Sequence, residues 1–92
     1  MSLYNITKYS YDQAKKLGVN IKPSSNPKKK IDVFDKNNNK LASIGDVSYK
    51  DFPTYMKEKG QEYANYRRRL YHLRHKDNKK GTANYFSKEI LW

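Results

Sequence analysis

Apolar side chains come in short, differently spaced groups along this chain, and each spacing predicts an element. Residues 11–17 set Ala14 and Leu17 among polar neighbours and predict a short helix. Ser10 serves as its N-cap, Asp12 sits in the first turn, and Lys15 and Lys16 lie in the last, as the helix dipole favours. Gly18 supplies the left-handed residue that closes such a helix. Val19-Asn20-Ile21-Lys22 alternates apolar with polar and predicts a strand. Residues 23–27, two prolines around Ser-Ser-Asn, predict a turn. Residues 30–35 and 40–44 predict two further strands. The run Asn37-Asn38-Asn39 between them tolerates positive φ and closes a hairpin over 30–44. Ile31, Val33, Leu41 and Ile44 are its expected buried residues, and Gly45-Asp46 its expected end.

Helical spacing returns after residue 50. Asp51 caps and Pro53 opens a helix whose Phe52, Tyr55 and Met56 share one face, and Gly60 interrupts it. A longer helix is predicted from Gln61 to about His75. Its Tyr63, Tyr66, Leu70 and Leu73, at i, i+3, i+7 and i+10, form the stripe expected to face the core. Residues 77–82 read as a loop. The closing segment, with Tyr85, Phe86, Ile90, Leu91 and Trp92, is too apolar to stay in water and is expected to dock on the core. The expected fold is one α+β domain over residues 1–92. A small antiparallel sheet packs against helices from 51–75 and a docked C-terminal tail.

Composition narrows the class. Ninety-two residues suffice for one small domain. Only 36% are apolar, which with a high net charge points towards disorder, but 14% aromatic residues, nine of them tyrosine, point to an ordered domain with a thin core. The absence of cysteine excludes disulfides and thiolate metal sites. No run approaches the roughly 20 apolar residues of a membrane span, and the first residues lack the apolar core of a secretion signal. A soluble protein of the cytoplasm or nucleus is expected. Lys28-Lys29-Lys30 and Arg67-Arg68-Arg69 are short clusters of the kind that assist nuclear import.

Charge gives the strongest functional pointer. Twenty Lys and Arg oppose nine Asp and Glu, a formal +11, and the last 26 residues carry eight basic and two acidic groups. Arg68, His72 and His75 share a helix face away from the tyrosine–leucine stripe, Arg69 and Lys76 lie on a neighbouring one, and Arg67, Tyr71 and Arg74 flank the stripe. Arginine forks bind phosphate in bidentate fashion. The solvent-facing set therefore predicts a polyanion partner, nucleic acid first. Arg67 and Arg74, beside the stripe, are expected to pair with Asp46, Asp51, Glu58 or Glu62. Among the tyrosines, Tyr63 and Tyr66 are expected in the core and Tyr49, Tyr71 and Tyr85 are the more open stacking candidates.

No catalytic constellation stands out, and neither a cofactor nor a resident metal is expected. His72 and His75 supply only two ligands, with Asp77 a remote third, where a zinc site needs more. The acids are scattered rather than clustered as a metal nuclease requires, and no phosphate-cradling glycine loop or nucleophile elbow is present.

Several segments together resemble a group of small basic proteins of large double-stranded DNA viruses. They are Tyr11-Asp12-Gln13-Ala14-Lys15-Lys16-Leu17-Gly18-Val19, Ile31-Asp32-Val33-Phe34-Asp35, Ser43-Ile44-Gly45-Asp46, Asp51-Phe52-Pro53-Thr54-Tyr55, the set Arg67, Arg68, Tyr71, Arg74 and His75, and Ile90-Leu91-Trp92. The resemblance spans nearly the whole chain and implies a viral origin and a place in the virion. It carries no established activity. Some similar proteins bear cysteine near the Arg-His element; this chain does not, so no metal role transfers.

The expected function is non-enzymatic, largely sequence-independent nucleic-acid binding, with double-stranded DNA favoured. Arg68, Arg69, His72, His75 and Lys76 are expected to meet phosphate, helped by Lys79, Lys80, Lys28, Lys29 and Lys30. The alternative is a structural or assembly protein that binds an acidic protein surface through the same charge. Dimer formation would also suit so small a core.

Overall fold

A computed structural model describes residues 3–76 and 79–92. Helix α1 (Lys8–Leu17) is followed by strands β1 (Asn20–Pro23), β2 (Lys29–Phe34) and β3 (Lys40–Asp46), then by helices α2 (Phe52–Lys59), α3 (Gln61–Arg74) and α4 (Ala83–Leu91). The strands form an antiparallel sheet in the order β1-β2-β3, so the fold is α+β as expected. Between β2 and β3, Asn38 takes a positive φ of 69° at the turn, as the asparagine run predicts. The strands run further than expected, with Asp46 still opposite Lys29.

Register decides which side chains enter the core. Ile31 lies across from Ile44 and Val33 across from Ala42. Alternation therefore sends Leu41 to the opposite face, where it is 43% exposed. The expectation that Leu41 is buried is corrected by this alternation; beside it a register irregularity at Val33 and Phe34 sets Phe34 against Lys40. The core joins Ile21, Ile31, Val33 and Ile44 of the sheet to Ala14 of α1 and Phe86, Ile90 and Leu91 of α4.

The docked C-terminal tail is a helix. α4 packs on β3, and α1 packs on α4 and β1. Thr82 caps α4 by accepting the Tyr85 amide at 3.2 Å. Its last carbonyls are met by α1: Ser10 Oγ donates to the Ile90 carbonyl at 2.9 Å, and Gln13 Nε2 donates to the Glu89 carbonyl at 2.9 Å. This corrects the expected role of Ser10. Thr7 is the true N-cap of α1 and Ser10 is buried one turn inside it, because the C-terminal end of α4 needs a donor there. Gly18, at φ 74°, closes α1 as expected.

α2 begins as its sequence indicates, with Asp51 accepting the Thr54 amide at 3.0 Å. Asp51 also anchors the pair α2–α3 to the rest. Its buried carboxylate accepts Lys30 Nζ at 3.0 Å and the Tyr4 hydroxyl at 2.7 Å. Gly60, at φ 90°, separates α2 from α3.

α3 is rotated relative to expectation. Tyr63, Tyr66 and Leu73 are 41%, 48% and 61% exposed, and the buried residue is Ala64. Arg67, Arg68, Tyr71, His72 and His75 are half-buried and face inward. The partners explain the choice. Small Ala64 permits close approach, the Arg68 guanidinium lies 4.1 Å from the Phe52 ring centroid, and Tyr71 stacks on Trp92 at 4.6 Å with the rings 7° from parallel. Flat, partly apolar side chains fill this interface, while the tyrosine–leucine stripe looks outward.

Candidate functional site

The end of β3, the 49–51 segment, the inner side of α3 and the first turn of α4 enclose an open cleft of about 530 Å³. Three cations line it without an ion pair among the described residues: Lys29, Arg67 and Arg74. Two further lysines on its wall are committed, Lys30 to Asp51 and Lys50 to Glu58. Asp46 is the remaining carboxylate, held below the usual carboxylate range chiefly by the Ser48 amide.

Aromatic rings form the rest of the wall. His75, Tyr71 and Trp92 make a stacked column, with centroids 4.2 and 4.6 Å apart. Tyr55 meets Trp92 at 6.0 Å and lies 5.3 Å under the Arg67 guanidinium. The Tyr71 hydroxyl donates to Ser87 Oγ of α4 at 3.1 Å, which fixes α3 against α4. Tyr49 stands on the rim, 73% exposed. Its amide donates to the Asp46 carbonyl at 3.1 Å and its carbonyl accepts Lys30 Nζ at 2.5 Å, so a free ring rises from an anchored backbone.

The expected phosphate-contacting set divides in three. Arg69, Lys76, Lys79, Lys80 and Lys28 are exposed, and Lys29 and His75 line the cleft. Arg68, His72 and Lys30 are not offered to solvent as expected. Arg68 packs on Phe52. His72 is half-buried; burial, with Lys88 and Arg68 nearby, pushes its pKa down, so it is neutral at pH 7. Lys30 is buried in its pair with Asp51, because a lysine inside the fold needs a carboxylate. Arg67 and Arg74 correct the opposite expectation. Neither pairs with an acid among the described residues, and both line the cleft. Of the stacking candidates, Tyr71 is enclosed between His75 and Trp92 and Tyr85 packs on Phe86 at 5.3 Å, which leaves Tyr49.

A second polar cluster lies on β2. Asp32, buried, accepts Ser24 Oγ at 2.6 Å, Ser43 Oγ at 2.7 Å and the Ser25 amide at 3.1 Å, with Lys40 at 3.4 Å. Burial alone raises its pKa, but these donors outweigh that and hold it at about 2. The arrangement is structural, since every bond ties strands and the 24–25 turn together.

Among the described residues no three His, Cys, Asp or Glu side chains gather as metal ligands, and Asp77 lies outside those residues. No helix among them is long and apolar enough to cross a membrane. The chain matches no family model, curated protein or solved structure.

Proposed function

We propose that this protein binds nucleic acid through phosphate contacts, without catalysing a reaction and largely without regard to sequence. The observation that carries the reading is the set of arginines and lysines on and beside α3 that form no ion pair with a described carboxylate. They are Arg67, Arg69, Arg74 and Lys76, with Lys28, Lys29, Lys79 and Lys80 on neighbouring segments. In a chain of formal charge +11, four of the described acids are paired with other lysines: Asp51 with Lys30, Asp32 with Lys40, Glu58 with Lys50 and Asp12 with Lys8. Cations left open in this way release counterions from a phosphate backbone. Binding rather than catalysis fits the cleft's own groups, since Asp51 neutralises Lys30 and the imidazole of His75 is stacked on Tyr71.

The test is a fluorescence-anisotropy titration of labelled oligonucleotides at several salt concentrations. If about six cations engage, log K falls with log salt at a slope of about −4 to −5. A slope near zero removes the reading.

One observation favours a second reading, docking on an acidic protein. Tyr66 and Leu73 are exposed on the outer face of α3, with Arg69 and Arg74 on either side. An apolar strip between cations suits an acidic amphipathic partner better than bare phosphate. Replacing Tyr66 and Leu73 together by serine separates the two: nucleic-acid affinity is retained under the first reading, and partner capture is lost under the second.

A further inference from the structure

We infer that the cleft between α3 and α4 receives an unpaired nucleotide, so that the protein takes a single strand in preference to a duplex. The inference rests on the nucleic-acid reading and narrows it. Its first ground is where the cations lie. Arg67 and Arg74 line a concavity, together with Lys29 from the start of β2. Phosphates of a duplex sit on a stiff convex surface, whereas a flexible strand follows a charged groove. The outer face of α3, which a duplex would meet first, carries Tyr66 and Leu73 in its middle.

The second ground is the rim. A base in a duplex hides both its faces in the stack, while an unpaired base offers one to an aromatic ring. Tyr49 is such a ring. It is largely exposed, has no ring partner among the described residues, and its backbone is pinned at both the amide and the carbonyl. Exposing a tyrosine on a rigid backbone beside unpaired cations has no packing purpose; it fits a stacking platform next to a phosphate grip. The third ground is size. About 530 Å³ is the volume of a pocket for one small molecule, enough for a nucleotide and not for a helix of paired ones.

The sole tryptophan, Trp92, lines this cleft, so its emission reports entry directly. The intact protein is titrated with ten-nucleotide oligo(dT), with oligo(rU) and with a duplex of equal length, following Trp92 emission and the anisotropy of the labelled oligonucleotide. Variants are Tyr49→Ala and Arg74→Ala, both at exposed positions, with Lys16→Ala on α1 as a charge-matched control outside the cleft. The expected result is tighter binding of strand than of duplex, a saturable change in Trp92 emission, and a loss of roughly five- to hundredfold in affinity for Tyr49→Ala. Arg74→Ala should weaken binding more than Lys16→Ala. The deoxy and ribo arms show which sugar is preferred. Duplex bound as tightly as strand, with Trp92 emission unchanged and Tyr49→Ala neutral, overturns the cleft inference and leaves nucleic-acid binding standing. No binding of any oligonucleotide at low salt overturns both.

Discussion

Asp51 joins three parts of the chain through one carboxylate: the Tyr4 hydroxyl, Lys30 of β2 and the first turn of α2. Removing one partner of a buried pair leaves the other charge without solvation, so Asp51→Ala should cost about 3–5 kcal/mol in chemical denaturation. Lys30→Met keeps the stem but leaves the buried Asp51 carboxylate without its counter-charge, so it should cost a comparable amount; a much smaller loss would show that the Tyr4 hydroxyl and the Thr54 amide suffice to hold that charge. Gly45 is a different constraint. At φ 75°, a Cβ there would come within 2.6 Å of Leu91 Cδ1 and 3.0 Å of Lys30 Cδ, so Gly45→Ala should destabilise by about 1–3 kcal/mol. Asp32 sets a pH dependence. Its folded pKa of about 2 lies below the unfolded value, so its contribution is present above about pH 4 and is lost as pH falls towards 2. The difference amounts to about 2 kcal/mol, and acid titrations of stability should show a shallower loss in Asp32→Asn than in the native chain.

At the scale of elements, α3 shows what periodicity leaves undetermined. Tyr63, Tyr66, Leu70 and Leu73 and the set Ala64, Arg68, Tyr71 and His75 are both helical stripes, and hydrophobicity alone selects the first. The second wins because Phe52, Tyr55 and Trp92 present flat rings to α3, and a guanidinium or a tyrosine lies against a ring with little loss. Nothing within α3 signals this; the signal is in the partners, which lie as far as 21 residues away in the chain, as Trp92 does from Tyr71. The bounds of α2 and α3, the Gly18 close of α1, the Asn38 turn and the Asp51 cap were legible, because each depends on a local group with one strong preference, and residues 83–91 were legible as a docked segment from their apolar content; the start of α1 was not, because Ser10 is drawn to the end of α4 and Thr7 caps instead. The site was legible as charge but not as shape. Arg68 and Lys30 look like open cations until their ring and carboxylate partners are located, and Arg67 and Arg74 look committed until both are found lining the cleft with no ion pair among the described residues. Arg68→Ala should therefore lower stability by about 1 kcal/mol in a thermal melt, while Arg74→Ala, exposed, should leave the melting temperature within error.

Over the whole molecule, two bodies of structure meet. The sheet with α1 and α4 holds the apolar core, and α2 and α3 pack chiefly on each other. Among the described residues the links between them are few: the Asp51 cluster, Tyr9 against Phe52 at 5.1 Å, Tyr55 against Trp92 at 6.0 Å, and the Tyr71–Trp92 stack with the Ser87 hydrogen bond. Truncating the stack by Trp92→Ala should loosen α3 with little effect on the sheet, seen as a loss of near-ultraviolet dichroism with the far-ultraviolet spectrum retained. The same sparse join gives the protein graded rather than uniform resistance to opening. Amides of α3 should exchange with deuterated water through a local excursion that leaves the strands closed, well before the molecule unfolds as a unit. Because the cleft is bounded by both bodies, anything seated in it should slow that exchange in α3 more than in β2.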